Sequence, residues 1–512
     1  MRRLPGSAGG DVCGGFRPLL AALLALSSAS ASASASGSAH VDGAPPSKIA
    51  VVGAGVGGSA AAHFLRQHFG ADVQLDVYEK GEVGGRLATV TVNRDRYESG
   101  GAVIHSLNLH MRDFVKRLGL KYRRGVSGKT AVFDGAEVIL GETDWYLLDL
   151  FRLWWRYGIS FIRLQMWVEE IMEKFVRIYK YQAHGYAFSS AEDLLDSLGG
   201  SGFLNMTRRP LSDSLLELGV SQRFIDEVVA PVIRLNYGQN VSVPAFVGAV
   251  SLASAHSNLW AVEGGNKLVC EGLLKMANAN LVPARVTSVR PLRSGGALQY
   301  QLSVAGEEAA GAGPAYDAVV LAAPLLAGSG VSFRGFAPPV EPAEGDYRGT
   351  VATVVHGYLN TSLFGFPDPR LFPYAGVLTT DAPALFFNSV AAIYPVNVSP
   401  GFRRKRAHEA AVYKVFSPEV LTREQLKTLF RSYYSAQATE RRAHPRYGDA
   451  APPPVELRPH LYYLNGVERA GGAVEMSAVA AKNVALLAYH RWNGRTLRVD
   501  RKDLVHKIKT EL

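Results

Sequence analysis

The most constraining stretch of this chain is Gly53-Ala54-Gly55-Val56-Gly57-Gly58, a full G-x-G-x-x-G set between an apolar run and a helical pattern. Lys48 to Val52 reads as a short strand, Ser59 to His68 as a helix, and Val73 to Tyr78 as a second strand ending at Glu79. That order is a βαβ unit. Gly53 permits the tight strand-to-helix turn, Gly55 lets a pyrophosphate approach the backbone, and Gly58 lets the helix lie close to the sheet. The helix N-terminus offers free N–H groups and the positive end of its dipole to phosphate. Glu79 can accept hydrogen bonds from ribose hydroxyls. A glycine-rich structural turn is the bland alternative, and the flanking strand, helix and acid argue against it. The expectation is a dinucleotide site, with NAD and FAD not yet separated.

At 512 residues the chain exceeds one ordinary core, so two intertwined domains are expected. Hydrophobic residues at 47% against 20% charged place it among globular proteins, not disordered ones. Trp145 to Tyr181 and Ser189 to Leu235 read as helices, and Cys270 to Val282 as one more. Strands are expected at Ala284–Val289, Leu298–Val304 and Ala318–Leu321, and residues 340–415 read as mostly β. Pro452 to Pro454 form a rigid linker before a strand at Leu461–Leu464 and an Ala-rich helix from Ala473 to His490. The dinucleotide-type segments at both ends and in the middle must meet in space, so the second domain is inserted in pieces.

Arg2 and Arg3, the apolar run Pro18 to Leu26 and the Ala/Ser stretch to Ser38 form the pattern of a cleaved leader, taken here as residues 1–36. The run is too short for a stable membrane span. Cys13 leaves with the leader, so Cys270 stands alone and is read as a buried, inert thiol. Asn205, Asn240, Asn360 and Asn397 each head an Asn-x-Ser/Thr triplet, the acceptor pattern for glycosylation in the secretory pathway. Pro400 directly follows the last triplet and weakens it. The formal charge of +10 falls to +8 without Arg2, Arg3, Arg17 and Asp11 of the leader. Only Arg403 to Arg406 form a basic cluster, with no nucleic-acid-binding module beside it, so nucleic acid is not an expected partner. Attraction to anionic lipid or lipoprotein surfaces stays open. Ser/His/Asp, metal-ligand and C-x-x-C constellations do not stand out, which leaves hydrolase and metalloenzyme readings unsupported.

Further motifs separate FAD from NAD. Gly84-Gly85-Arg86-Leu87-Ala88-Thr89 resembles the G-G-R-x-x-[ST] run of the amine oxidase and carotenoid desaturase-like flavoproteins, and Glu98-Ser99-Gly100-Gly101 resembles their acidic-Gly segment beside the isoalloxazine ring. Leu464 to Glu468, followed by Arg469 to Met476, resembles their C-terminal strand, which delivers an acid toward the ribityl and phosphate groups, and the helix start aimed at the flavin. Trp260 to Cys270, Met166 to Glu170, Tyr181 to Ser189, Asn236 to Gln239 and His490 to Gly494 narrow the match to the prenylcysteine oxidase family, from about Lys48 to Leu512.

The resemblance implies an α/β fold: an FAD-binding Rossmann-like (two-dinucleotide-binding-domain flavoprotein) domain with an interleaved α+β substrate domain. It implies FAD-binding parts at 45–140, 251–330 and 456–512, a mainly helical substrate or cap part at 141–250 and a β-rich substrate part at 331–455. Gly53, Gly55, Gly58, Glu79, Gly85, Arg86, Gly101, Glu468 and Met476 are the expected cofactor-binding positions. The implied reaction is FAD-dependent oxidation, with O2, of the thioether carbon of farnesyl- or geranylgeranyl-cysteine to cysteine, an isoprenoid aldehyde and hydrogen peroxide. Its implied setting is prenylated-protein degradation.

Two other readings stand beside it: a flavin oxidase of the same fold acting on another amine or lipid, and a flavin-retaining binding protein with little turnover. The catalytic residues are not readable, and His105, Tyr237 and Lys267 are the pocket candidates. An isoprenoid needs an apolar tunnel. The aromatic stretch from Trp145 to Trp167 can supply one, although Arg152, Arg156 and Arg163 rule out a membrane span. An amphipathic core helix, a tunnel wall and a membrane-surface lid all fit that stretch. The terminal Lys509-Thr510-Glu511-Leu512 resembles the K-D-E-L retention signal with Thr510 in place of the acid, and secretion or lysosomal delivery are the family's leaning.

Overall fold

The computed structural model describes residues 44–502 and 504, except 127, 254–258, 295, 307–312, 326–329, 342–346 and 449–451. The leader, Cys13 and the last four residues lie outside the described residues.

Strand β1 (Lys48–Val52), helix α1 (Val56–Phe69) and strand β2 (Gln74–Tyr78) form the expected βαβ unit. Both strands are buried along four of their five residues, as befits central strands of a parallel sheet covered on both faces. The sheet has six strands in the order Glu456–Arg458, Leu461–Tyr463, Ala318–Leu321, β1, β2 and Asn280–Val282. All pairings are parallel except at the Glu456–Arg458 edge. Three remote stretches of sequence thus share one sheet.

Small residues set the close approach of the helices above it. Ala60, Ala61 and Ala62 of α1 and Ala478, Ala481 and Ala485 of the C-terminal helix Val474–Trp492 are buried in one cluster. That helix is buried along most of its length, which its small apolar residues allow. A four-stranded sheet, Ala315–Tyr316, Ala297–Val304, Val286–Ser294 and Ser332–Phe333, lies beside it in sequence and contributes to a shared core with β1.

The remaining sheet has seven strands, ordered Phe430–Pro445, Tyr347–Leu359, Ala411–Ser417, Ser389–Ile393, Tyr374–Thr379, Lys129–Phe133 and Val138–Gly141. The last two come from the stretch grouped by sequence with the first FAD-binding part. Lys129–Phe133 instead pairs in parallel with Tyr374–Thr379. The long strand Phe430–Pro445 escapes a sequence reading because its exposed edge position leaves no apolar alternation to see.

One further expectation is corrected, and one left open is narrowed. The helix begun near Cys270 ends at Met276, where Asn278 takes a left-handed conformation (φ 47°), and Asn280–Val282 joins the parallel sheet. Helix α2 (Leu109–Arg117) precedes a pair, α3 (Tyr146–Tyr157) and α4 (Ser160–Phe175), in the aromatic stretch. α3 is not a core helix. It buries only Asp149, Leu153 and Tyr157, one narrow stripe at a spacing of four.

Candidate active site

A cavity of about 1080 Å3 runs from the glycine loops into the helical layer. Its first wall is the turn after β1. Gly53 adopts φ 109°, and a Cβ there would approach the Ala322 carbonyl oxygen to 2.9 Å. A Cβ on Gly58 would overlap the Gly53 carbonyl oxygen, so Gly58 serves packing, not ligand contact. Gly55 differs: its nearest neighbour for a Cβ is Gly85 Cα at 3.8 Å, and both residues line the cavity. Gly55 also begins α1 with no side-chain cap and no acid in the first turn. The helix's free N–H groups and positive dipole end are left for a ligand.

Glu79 lines the cavity at the end of β2. Its carboxylate accepts from the Ala54 N–H at 2.8 Å and the Gly81 N–H at 2.9 Å, so it also holds the glycine turn in shape. Gly84 (φ 120°) and Gly85 (φ 58°) bring the second glycine run beside Gly55 through a short Gly55–Gly84 bridge. Arg86 then donates to Glu468, which lies on a short 3-10 turn before the C-terminal helix. Tyr347 Oη and Asn465 Nδ2 donate to the other Glu468 oxygen at 3.1 and 2.8 Å. Burial pushes the Glu468 carboxyl up, but the charge and hydrogen bond of Arg86 outweigh it and hold the acid below its usual range. Burial likewise opposes the Arg86 charge, and Glu468 raises its pKa despite it.

Gly101 and Met476 close the wall from two sides. The Gly101 N–H donates to the Arg86 carbonyl at 3.1 Å, and Asn266 Nδ2 donates to the Gly101 carbonyl at 2.9 Å. The C-terminal helix starts at Ala473 without a side-chain cap, so a second uncapped N-terminus faces the cavity through Ala473, Glu475 and Met476. Glu475 is buried and accepts from the His110 N–H (2.7 Å), the Met111 N–H (3.1 Å) and Tyr179 Oη (2.8 Å). It therefore caps α2 while opening the C-terminal helix. Burial pushes its carboxyl up to about 7, against the pull of those three donors.

Of the three catalytic candidates, the structure brings two to the cavity. His105 lines it, with Nδ1 accepting from the Leu107 N–H at 3.2 Å. Tyr237 is buried in its wall, its ring 4.8 Å from His444 and 5.1 Å from Tyr447. Burial, with the nearby Arg86 charge, pushes the His444 imidazole down to about 4, so it is neutral at physiological pH. Lys267 is not brought there: it starts the helix Leu268–Met276 and pairs with Glu82 at 3.6 Å and Glu271 at 3.9 Å. Cys270 is buried, and burial pushes its thiol up to about 12, the state of an unreactive core thiol.

Sequence reasoning missed Lys414. This buried lysine stands on the strand Ala411–Ser417, lines the cavity, and donates to the Glu98 and Gly100 carbonyls at 3.3 Å each. A lone lysine in an otherwise apolar strand was the available signal. Of the four glycosylation candidates, Asn240 and Asn397 are exposed outside regular elements, and Asn205 is exposed near the end of a helix. Asn360 is half-buried and already donates to the Thr428 carbonyl at 2.9 Å. In the basic cluster, Arg403 is paired with Glu409 at 2.7 Å.

The cavity suits FAD. Uncapped helix N-termini stand at both ends of its glycine-lined part, an acid closes β2, and the open side of Gly55 leaves room for phosphate. A dinucleotide groove alone would not need the apolar extension lined by Ile171, Phe175, Val232, Phe246 and Val250.

The comparisons agree. Residues 140–501 match the family described as Prenylcysteine lyase, and residues 51–118 match an NAD(P)-binding Rossmann-like domain. Human "Prenylcysteine oxidase 1-like" is 58% identical over 499 residues, covering 97% of this chain and 99% of the relative. "Prenylcysteine oxidase 1" of Bos taurus is 46% identical, covering 92% and 93%. In fold, the chain resembles putrescine oxidase bound to putrescine (TM-score 0.52, 15% identity, 86% and 98% covered). It also resembles cyclohexylamine oxidase from Brevibacterium oxydans (TM-score 0.53, 13% identity, 87% and 99% covered). The chain is an FAD-dependent oxidoreductase that belongs to the prenylcysteine lyase family.

Proposed function

We propose that this protein oxidises the thioether carbon of farnesyl- or geranylgeranyl-cysteine, using O2 and water and releasing cysteine, an isoprenoid aldehyde and hydrogen peroxide. The observation that carries this reading is the continuity of one cavity. Its glycine-lined part suits a dinucleotide, and its extension between α4 and the helices at 230–253 is apolar. An isoprenoid chain gains by leaving water for such a lining. The polar end of the substrate would find Thr130, Thr350, Ser389 and Lys414 on the strands of the seven-stranded sheet.

FAD bound there would supply the two-electron acceptor that this oxidation needs, with O2 as the final acceptor and hydrogen peroxide as its product. Gly53, Gly55, Gly85 and Glu79 would hold the phosphates and ribose. Arg86 and Glu468 keep the segments at 84–101 and 464–476 at fixed separation. The apolar wall excludes bulk water and aligns the reacting carbon. His444 and His105, which line the cavity, would be the imidazoles available to take a proton from the water that adds to that carbon. Collapse of the resulting hemithioacetal yields the aldehyde and thiol.

The test is anaerobic mixing of purified holoprotein with farnesylcysteine, followed by admission of air. The reading expects bleaching of the flavin bands, then hydrogen peroxide and farnesal in equal amounts. Bleaching by an amine or another lipid alone would assign the site to that substrate. No bleaching by any of them, with flavin bound, would leave a binding protein.

We also propose passage through the secretory pathway, ending in secretion or the lysosome. The leader pattern and the exposed Asn240 and Asn397 support it. A mobility shift of the expressed protein on enzymatic deglycosylation is the expected result.

A further inference from the structure

Helix α3 presents large apolar side chains to solvent on a scale that folding alone does not explain. Trp145, Leu147 and Trp155 are 74%, 75% and 76% exposed, and Phe151 and Trp154 are about half exposed. Leu147, Phe151, Trp154 and Trp155 recur at spacings of three and four, which puts them on one face. The rings of Phe151, Trp154 and Trp155 cluster with centroids 6.1–6.4 Å apart. On the following helix, α4, Ile162 and Met166 are also exposed, with Glu170 one turn later. Scattered exposed hydrophobics need no explanation, but a contiguous aromatic patch marks an interaction site.

We propose that this face of α3 docks onto an anionic phospholipid bilayer, lying in the headgroup region without crossing it. Charge decides for this occupant. The only acid within α3, Asp149, is turned inward and accepts from the Thr143 N–H, while Arg152 is exposed at the edge of the aromatic face. Asp144, just before the helix, is neutralised by Lys129 at 2.7 Å. Without its expected leader the chain carries +8. Anionic lipid attracts such a surface, whereas a second copy brings the same positive charge to it. Tryptophan and arginine together suit the boundary between headgroups and acyl chains. Among the described residues no helix is long and apolar enough to cross a membrane, so the helix rests on the surface.

Helix α4 connects this surface to the cavity. Its N-terminal half carries exposed Ile162 and Met166, and its C-terminal half lines the cavity through Ile171, Met172 and Phe175. At about 1.5 Å rise per residue, the two lie on the order of 10 Å apart. A lipid-soluble molecule leaving the bilayer would meet the apolar end of the cavity first. The docking itself does not rest on the thioether reading.

The test is co-sedimentation of flavin-loaded protein with phosphatidylcholine vesicles and with vesicles containing phosphatidylserine. It is paired with quenching of tryptophan fluorescence by brominated lipid. Wild type should bind the anionic vesicles about tenfold more tightly than the neutral ones, with binding weakened by salt. Phe151→Ser/Trp154→Ser/Trp155→Ser should lose at least about tenfold in binding while keeping its flavin spectrum and Tm. If that variant misfolds, quenching in wild type and its reduction in the conservative Trp155→Phe decide the matter. Wild type left in the supernatant and unquenched overturns the proposal, as does equal binding by the folded triple variant. A wild-type dimer that becomes monomeric on the triple substitution, without vesicle binding, assigns the face to a second copy and also overturns it.

Discussion

Arg86 and Glu468 form a hydrogen-bonded ion pair across 382 positions of sequence, and both line the same cavity. Arg86 keeps 37% of its side chain accessible, whereas only 6% of Glu468 is. Loss of the arginine would leave a buried carboxylate with only the neutral donors Tyr347 and Asn465, while loss of the acid leaves a cation that stays partly accessible. Arg86→Ala should destabilise the protein by about 3–5 kcal/mol and release flavin. Glu468→Gln should cost less. Denaturant unfolding with flavin fluorescence as a second probe checks this, and equal losses in the two variants would contradict it.

The glycines of the first turn separate by role. Gly55 has room for a Cβ, so Gly55→Val should fold and expose its branches to the phosphate position, yielding colourless protein. Gly58→Ala meets the Gly53 carbonyl instead and should give little soluble protein at all. Absorbance of the purified variants distinguishes the two. Full flavin occupancy in Gly55→Val would refute the phosphate assignment.

Glu475 makes stability depend on pH. Its folded-state pKa, pushed by burial to about 7, lies above the ordinary 4.5. Its contribution is therefore complete below about pH 4.5 and is lost as pH rises through about 7. The full swing is on the order of 3 kcal/mol. Unfolding curves at about pH 5 and about pH 8 should show this loss in wild type and a much smaller one in Glu475→Gln. A parallel loss in both proteins would place the titration elsewhere.

Lys414 joins the seven-stranded sheet to the turn at Ser99–Gly101 through two carbonyls. Lys414→Met should retain flavin, since the phosphate and ribose contacts lie elsewhere. Turnover of farnesylcysteine should fall by about 10-fold to 100-fold as the turn loses its tether and the cavity its cation. Steady-state peroxide release with matched flavin absorbance is the measurement. Wild-type turnover would show that the lysine only fills space.

Local sequence was sufficient wherever a short stretch carried its own physical requirement. The βαβ unit followed from an apolar run, spaced glycines and Glu79, each constrained by a neighbour only a few residues away. The Ala-rich C-terminal helix followed from its run of small apolar residues, which suits a largely buried helix. What required the tertiary structure was every property defined by a distant partner. Lys129–Phe133 became part of the seven-stranded sheet because Tyr374–Thr379 offers it an edge. Lys267 and Lys414 are alike as residues, yet one is drawn to nearby Glu82 and Glu271 while the other is enclosed by a sheet beside the cavity. Helix α3 has the pattern of a core helix, and only the shape of the surrounding layers leaves its aromatic face in water. Periodicity states which side of an element is apolar; long-range packing decides what covers it.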